Sequence, residues 1–111
     1  MLNKDLLVVF STCPDAGVAE SLARALVEAS LAACVNILPG LKSIYRWNGS
    51  VQSDEEVLMM IKTTGERFVA LRDRLVELHP YEVPEVVALP IVDGHDAYLR
   101  WIESTAASKG G

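Results

Sequence analysis

Two residues in this sequence, His79 and Cys13, have side chains that can bind soft metal ions. His79 opens the stretch HPYEVPEVVALPI, and a neutral imidazole is a common metal ligand. Cys13 follows an apolar run at a predicted strand-to-helix turn, where the positive end of a helix favours a thiolate. Together they would suit copper(I) or zinc. The alternative, which the residue types alone favour, is that His79 ends a helix and Cys13 is a small buried residue.

The other cysteine and histidine have simpler interpretations. Cys34 lies in AACVNIL, where apolar residues alternate, and is predicted to be in the core. His95 stands between Asp93 and Asp96 at the start of a terminal helix and is predicted to belong to a solvated helix cap. The sequence contains no nucleophile elbow, Walker loop, GxGxxG or HExxH motif. We therefore expect a protein that is not an enzyme.

A second group of candidates combines aromatic and charged side chains. Tyr45 and Trp47 share one face of a predicted strand, and Glu56 and Lys62 share one face of the next. If this face packs on another subunit, these four residues and Tyr81 line a cleft between subunits for a small anionic ligand or a partner protein. If the face meets water, they are ordinary solvated positions. We favour the cleft.

Alternating strand and helix patterns would position these residues. Strands are predicted over 5–11, 33–47, 51–62 and 83–92, and helices over 16–30, over 66–78 and from 93 onward. Asn48-Gly49 between two strands is a strong hairpin signal, and Thr63 and Glu66 have the spacing of a capping box. The order β-α-β-β-α-β predicts a ferredoxin-like α+β sandwich with an extra C-terminal helix.

Two features concern the edges of the predicted sheet. Pro84 and Pro90 would turn their missing N–H groups to one side of the last strand, which predicts an outer strand. The strand before Asn48-Gly49 far exceeds the typical length of about five or six residues, so its hairpin should overhang the sheet. A bend at Pro39-Gly40 would let 41–47 pair with a neighbouring subunit and bury Trp47 between chains. Three copies would close a ring, which predicts a homotrimer.

Composition limits the class of protein. The chain has 111 residues, half of them hydrophobic, and is predicted to be a single domain over 1–111 with a loose tail from about 106 to 111. The net charge of −5 disfavours binding to nucleic acid or to anionic lipid. The two cysteines lie outside any CxxC or zinc-type spacing, and no apolar run would span a membrane. We expect a cytoplasmic protein.

The chain as a whole resembles the CutA divalent-cation-tolerance family. The resemblance rests on the stretches LAACVNILPGLKSIYRWNG, EEVLMMIKTT, HPYEVPEVVALPI and YLRW in that order, and covers nearly the whole sequence. It implies a ferredoxin-like fold, a compact homotrimer and a role in tolerance of copper and other divalent metals. Similar trimers occur among the nitrogen-regulatory signalling proteins.

The resemblance also implies a copper site, which this chain matches in part. Members of the family have been associated with copper bound by a first-strand cysteine and by a histidine pair before the dipeptide PY. Here His79 matches one histidine, and Leu78 stands in place of the other. Ser11 occupies the cysteine position, with Cys13 displaced by two residues. The leading expectation is a trimer that binds copper or another divalent metal weakly through His79 and Cys13. The alternative is a non-catalytic module that binds a small ligand or partner in the cleft.

Overall fold

The computed structural model describes residues 5–107 as one antiparallel sheet with three helices. The strands are β1 (Leu6–Cys13), β2 (Cys34–Trp47), β3 (Ser50–Thr64) and β4 (Val87–Pro90). The helices are α1 (Ala16–Glu28), α2 (Gly65–Leu78) and α3 (Asp96–Thr105). The strand order β2-β3-β1-β4 is that of the ferredoxin-like sandwich, so the predicted fold with its extra C-terminal helix is confirmed.

One face of the sheet forms the core with α1 and α2. Successive side chains in a strand point to opposite faces, so Val9, Met59 and Ile61 all face the helices and are fully buried. They pack against Leu26 of α1 and Leu71 of α2 in one cluster. Burial of each such side chain contributes about 1.5–3 kcal/mol, which makes this cluster the main source of stability.

The C-terminal helix packs on a second, smaller cluster. Leu99 and Ile102 of α3 are buried there with Leu6 of β1. Ala106 is also fully buried, so the chain is anchored one residue into the region predicted as a loose tail. The rest of that prediction, from residue 108 onward, lies outside the described residues. No helix within 5–107 is long and apolar enough to cross a membrane.

Within the described part of the chain, the opposite face of the sheet is covered by a helix only at its Leu6 end, where α3 packs. Phe10 of β1 and Met60 of β3 lie side by side on this face and are half-buried. Leu38 on β2 and Val87 on β4 are 54% and 50% exposed. The rest of this face is an apolar surface, which we call the open face, and no helix within residues 5–107 covers it.

The β2–β3 hairpin extends beyond the sheet, as the sequence predicts. β1 ends where Cys13 pairs with Val57, so residues 50–56 of β3 pair only with β2. At about 3.3 Å per residue this overhang is about 20 Å long. Its turn is formed by Asn48 (φ 50°) and Gly49 (φ 80°), the two positive φ values that a tight hairpin turn requires.

A bulge at Pro39-Gly40 decides which side chains of the overhang face the cleft. Leu38 pairs with Leu58, but the next pair joins Leu41 to Glu56, so β2 holds one extra residue. Gly40 has φ 86°, which an L side chain rarely adopts. The extra residue moves Tyr45 and Trp47 to the face of the sheet that carries Glu56.

Three local predictions are corrected. The strand predicted over 83–92 spans only Val87–Pro90. Pro84 has no N–H to donate to a neighbouring strand. Beyond the Phe10–Val87 pair, the Thr12 carbonyl accepts a hydrogen bond from His79 and not from β4. Its position at the sheet edge is confirmed.

The other two concern helix ends. Helix α1 stops at Glu28, before Ser30 takes a positive φ of 59°. The cap of α2 is Thr64, whose Oγ1 accepts a hydrogen bond from the Arg67 N–H, and not Thr63, whose hydroxyl donates to the Leu31 carbonyl. The predicted capping box is thus wrong: Thr63 faces the core, and the residue three positions after the Thr64 cap is Arg67, not Glu or Gln.

Candidate functional site

His79 sits at the C-terminal cap of α2 and is buried, with 7% of its surface exposed. Its Nε2 lies 2.8 Å from the Thr12 carbonyl oxygen, and its Nδ1 accepts the Tyr81 backbone N–H at 3.1 Å. A carbonyl can only accept, so Nε2 carries the hydrogen and the ring is the neutral tautomer. The predicted role of His79 as a helix-ending residue is confirmed, and both of its nitrogens are engaged.

Cys13 is fully buried at the end of β1. Its Sγ lies 3.8 Å from the Val57 carbonyl oxygen and 3.9 Å from that of Asp15. Burial, followed by the negative charges of Asp15 and Glu56, raises the pKa of this thiol to about 11. The prediction of a thiolate is therefore wrong, because the Cys13 thiol keeps its proton at neutral pH. The start of α1 is capped by Asp15, whose Oδ1 accepts the Val18 N–H at 2.8 Å.

His79 and Cys13 do not form a metal-binding set as they stand. Metal ligation needs a free imidazole lone pair and a deprotonated thiol, and neither is present here. Within residues 5–107, no three side chains of histidine, cysteine, aspartate or glutamate come together closely enough to hold an ion. A metal bound at this position would have to displace the hydrogen bond from Tyr81 and remove the Cys13 proton.

Tyr81 connects His79 to the predicted cleft. Its ring centroid lies 4.8 Å from that of His79, and its hydroxyl donates to Glu56 Oε2 at 2.7 Å. Burial raises the pKa of Tyr81, and the hydrogen bond to Glu56 raises it further, so the hydroxyl keeps its proton. Glu56 is only 9% exposed, since it lies where the overhang leaves the sheet. The two predicted groups of residues thus meet at one corner of the molecule.

A cavity of about 750 Å³ opens between the overhang and the segment 80–85. Its aromatic walls are Tyr45, Trp47 and Tyr81. Its acidic residues are Asp54, Glu56, Glu82 and Glu85. The Tyr45 hydroxyl donates to Asp54, and this hydrogen bond raises the pKa of the tyrosine. We call this cavity the acidic cleft.

Four of the five predicted cleft residues line the acidic cleft, and Lys62 does not. Lys62 shares a strand face with Glu56, but it lies six positions further along the strand, about 20 Å away. Its Nζ instead donates to Asn36 Oδ1, on the neighbouring strand β2. Sharing a face was therefore not sufficient to bring the two charges together.

Three acidic residues of the cleft were not identified from the sequence. Asp54 lies two residues before Glu56 on the same strand, and this period-two spacing would have found it. Glu82 and Glu85 lie in an irregular segment where no periodicity applies. Among the described residues, the lining of the cleft has four carboxylates and no lysine, arginine or histidine. The cleft therefore does not suit the anionic ligand that we expected from the sequence.

The two remaining candidates lie elsewhere. Cys34 is half-buried on the open face, with its Sγ 3.8 Å from Asn36 Oδ1, so its predicted place in the core is wrong. The error has a simple cause: Val35 and Ile37 of the same strand face the helices, and Cys34 alternates with them. His95 is the exposed N-terminal cap residue of α3, as predicted, and its side chain makes no capping hydrogen bond.

The fold, the overhanging hairpin and the acidic cleft define a small ferredoxin-like α+β protein with a site at the base of its hairpin. Comparison with known protein families agrees with this fold. The sequence pattern of the family described as "CutA1 divalent ion tolerance protein" matches residues 7–105. The chain belongs to this family, as its resemblance had implied.

Individual relatives are similar over most of the chain. The divalent-cation tolerance protein CutA of Thermus thermophilus is 56% identical over 95 residues, which are 86% of this chain and 92% of that protein. The human protein CutA is 50% identical over 99 residues, or 89% of this chain, which spans about half of the human protein (55%). Among solved structures, that of CutA from Xylella fastidiosa superposes with a TM-score of 0.90 at 43% identity, covering 93% of this chain and 99% of that one.

Proposed function

We propose that this chain is a non-catalytic homotrimer that acts in the response to divalent metal ions and binds copper or another divalent metal weakly. The observation that carries the proposal is that His79 packs against Tyr81, whose hydroxyl donates to Glu56 of the acidic cleft, in a fold of the CutA family. Carboxylates at the cleft would concentrate cations near His79 by Coulomb attraction. The names of the relatives, divalent-cation tolerance proteins, agree with this role.

Weak binding follows from the state of the candidate ligands. His79 must release the Tyr81 N–H before Nδ1 can bind a metal, and the Cys13 pKa of about 11 means that its proton is lost only at a cost in free energy. Each of these steps subtracts from the intrinsic affinity of the ligands. The affinity should therefore also rise with pH as the thiol deprotonates.

The test is a set of binding isotherms for copper(I), copper(II) and zinc. They are measured on the unmodified chain, on His79→Gln, and on His95→Gln as a matched control at the exposed histidine. A loss of affinity in His79→Gln alone supports the proposed site. Coinciding isotherms for the chain and His79→Gln would remove His79 from it.

Assembly as a homotrimer is supported by two surfaces. The open face presents Phe10, Met60 and other apolar side chains that one chain leaves partly in water. The overhang leaves one edge of residues 50–56 unpaired and exposes Trp47 by 44%. A ring of three chains would cover both. Sedimentation equilibrium at micromolar concentration tests this: a monomer mass would exclude it, and a trimer that Trp47→Ala dissociates would support the role of the hairpin.

A second candidate function is the binding of a small ligand or partner in the acidic cleft. It is favoured by the cavity itself, whose 750 Å³ lie within the size range of small-molecule sites. Melting temperatures measured with a panel of metabolites, compared with metals, would separate the two candidates, since a ligand that prefers the folded trimer stabilises it. For either function we propose the cytoplasm as the location, because both cysteines are free thiols.

A further inference from the structure

We infer that a second copy of this chain completes the acidic cleft, and that Lys62 of the neighbouring chain pairs with Glu56 across the interface. The inference rests on the homotrimer of the proposed function and names the contact that aligns its chains. The cleft is then a site that two chains share, and it forms only on assembly.

The first argument is the position of Lys62. Within residues 5–107 it is the one basic strand residue on the open face, because Lys42 and Arg46 project from the opposite face of the overhang. Its Nζ donates to Asn36 Oδ1, and it forms no ion pair within the described residues. An amide oxygen has no net charge, so the ammonium group lacks a counter-charge in the described part of its own chain.

Assembly makes this lack of a counter-charge costly. Leu58 and Met60 precede Lys62 along the open face of β3, and Phe10 of β1 lies beside Met60. A neighbouring chain that covers these apolar side chains also removes water from the lysine that follows them. A charge that is buried without a partner of opposite sign is strongly destabilising. The surface that covers Lys62 must therefore present an acidic group.

The acidic cleft lies at the other end of the same face. Glu56 lies on the far side of Leu58 and Met60, so about 20 Å separate its position from that of Lys62 within one chain. Copies that pack head to tail in a ring bring different parts of the same surface into contact. An apolar face with a positive end and a negative end is complementary to itself in that arrangement.

Glu56 is the acidic residue best placed to receive the ammonium group. Of the two carboxylates that β3 contributes to the cleft, it lies nearer the apolar part of the open face, whereas Asp54 lies further out on the overhang. Only 9% of Glu56 is exposed. The Tyr81 hydroxyl donates to its Oε2 at 2.7 Å and brings no charge. A lysine at Oε1 would add a charge-assisted hydrogen bond, which is stronger than a neutral one.

A double-mutant cycle on trimer dissociation tests this contact. The unmodified chain, Lys62→Gln, Glu56→Gln and the double variant are compared by sedimentation equilibrium at one urea concentration that partly dissociates the trimer. We expect a coupling of at least about tenfold in the dissociation constant for each contact, the level of a close interfacial ion pair. Since the two positions are about 20 Å apart within one chain, such a coupling arises only across the interface.

Two further comparisons locate the effect. Glu55→Gln removes the same charge from the opposite face of the hairpin, where Glu55 lies across from Lys42, and should show no coupling with Lys62→Gln. Lys62→Glu should dissociate the trimer at least about tenfold more readily than Lys62→Gln, because it places two carboxylates together at the contact. This second comparison leaves the hydrogen bond between Tyr81 and Glu56 untouched.

The outcomes separate the pairing from the homotrimer. A coupling below about twofold, or equal dissociation of Lys62→Glu and Lys62→Gln, would overturn the pairing and leave the homotrimer standing. An equal coupling of Lys62→Gln with Glu55→Gln would also overturn it, since the effect would then not belong to the cleft. A monomer mass for the unmodified chain would overturn the homotrimer and the pairing together.

Discussion

Replacing His79 by alanine tests whether the imidazole ring stabilises the fold, because the change removes the hydrogen-bond partner of one buried and one partly buried backbone group. The Thr12 carbonyl, now 2.8 Å from Nε2, loses its donor, and the Tyr81 N–H, 3.1 Å from Nδ1, loses its acceptor. An unpaired buried polar group costs about 1–3 kcal/mol. Water can reach Thr12 from the acidic cleft, which it lines, so its loss lies at the lower end. We expect His79→Ala to lower the free energy of unfolding by about 2–4 kcal/mol.

The assay is urea unfolding at one fixed protein concentration, since assembly makes the apparent stability depend on concentration. His79→Gln places an amide near the position of Nε2 and should recover about half of the loss. His95→Ala is the control, because His95 is exposed and makes no capping hydrogen bond, and it should change stability by less than about 0.5 kcal/mol. If His79→Ala costs no more than His95→Ala, the two hydrogen bonds do not hold the corner together and the reasoning fails.

Three further predictions concern the chain around the site. At pH 8 iodoacetamide should modify Cys13 at least about a hundredfold more slowly in the folded protein than in urea, because Cys13 is buried and its pKa is about 11; equal rates measured by mass spectrometry would refute this. Asp15→Ala should lower the free energy of unfolding by about 1 kcal/mol through loss of the α1 cap, and an unchanged urea midpoint would count against the cap. Gly40→Ala should cost about 1–3 kcal/mol from its positive φ alone, since a Cβ there meets nothing within 4 Å, whereas Gly17→Ala in α1 should be neutral or stabilising; equal urea midpoints would contradict the role of the bulge.

Sequence periodicity predicted the fold because the apolar residues of each helix and strand have the spacing typical of that element. Alternation in β3 and the four-residue spacing in α1 mark the core-facing side chains, and Asn48-Gly49 fixes the hairpin between them. The errors arise where two side chains compete for one role. Thr63 and Thr64 both suit a cap, and only packing decides which one faces the core.

The site was harder to predict, because its geometry depends on contacts between distant segments. The single residue added at Pro39-Gly40 places Tyr45 on the same face as Glu56. The sequence alone does not show that a bulge adds a residue at this point. Likewise, His79 has the right side chain for a metal ligand, and only the positions of Thr12 and Tyr81 show that both nitrogens are engaged. Residue type indicated the candidates, and the fold decided their hydrogen-bonding state.

The most direct test of the proposed function is to locate bound metal by anomalous scattering. Crystals of protein purified without chelators are soaked in copper and measured on both sides of the copper edge. The proposed function predicts a partly occupied peak at the corner formed by His79, Cys13 and Glu56, which disappears in His79→Gln crystals soaked identically. Copper found only at the exposed His95, or at no ordered position, would contradict it.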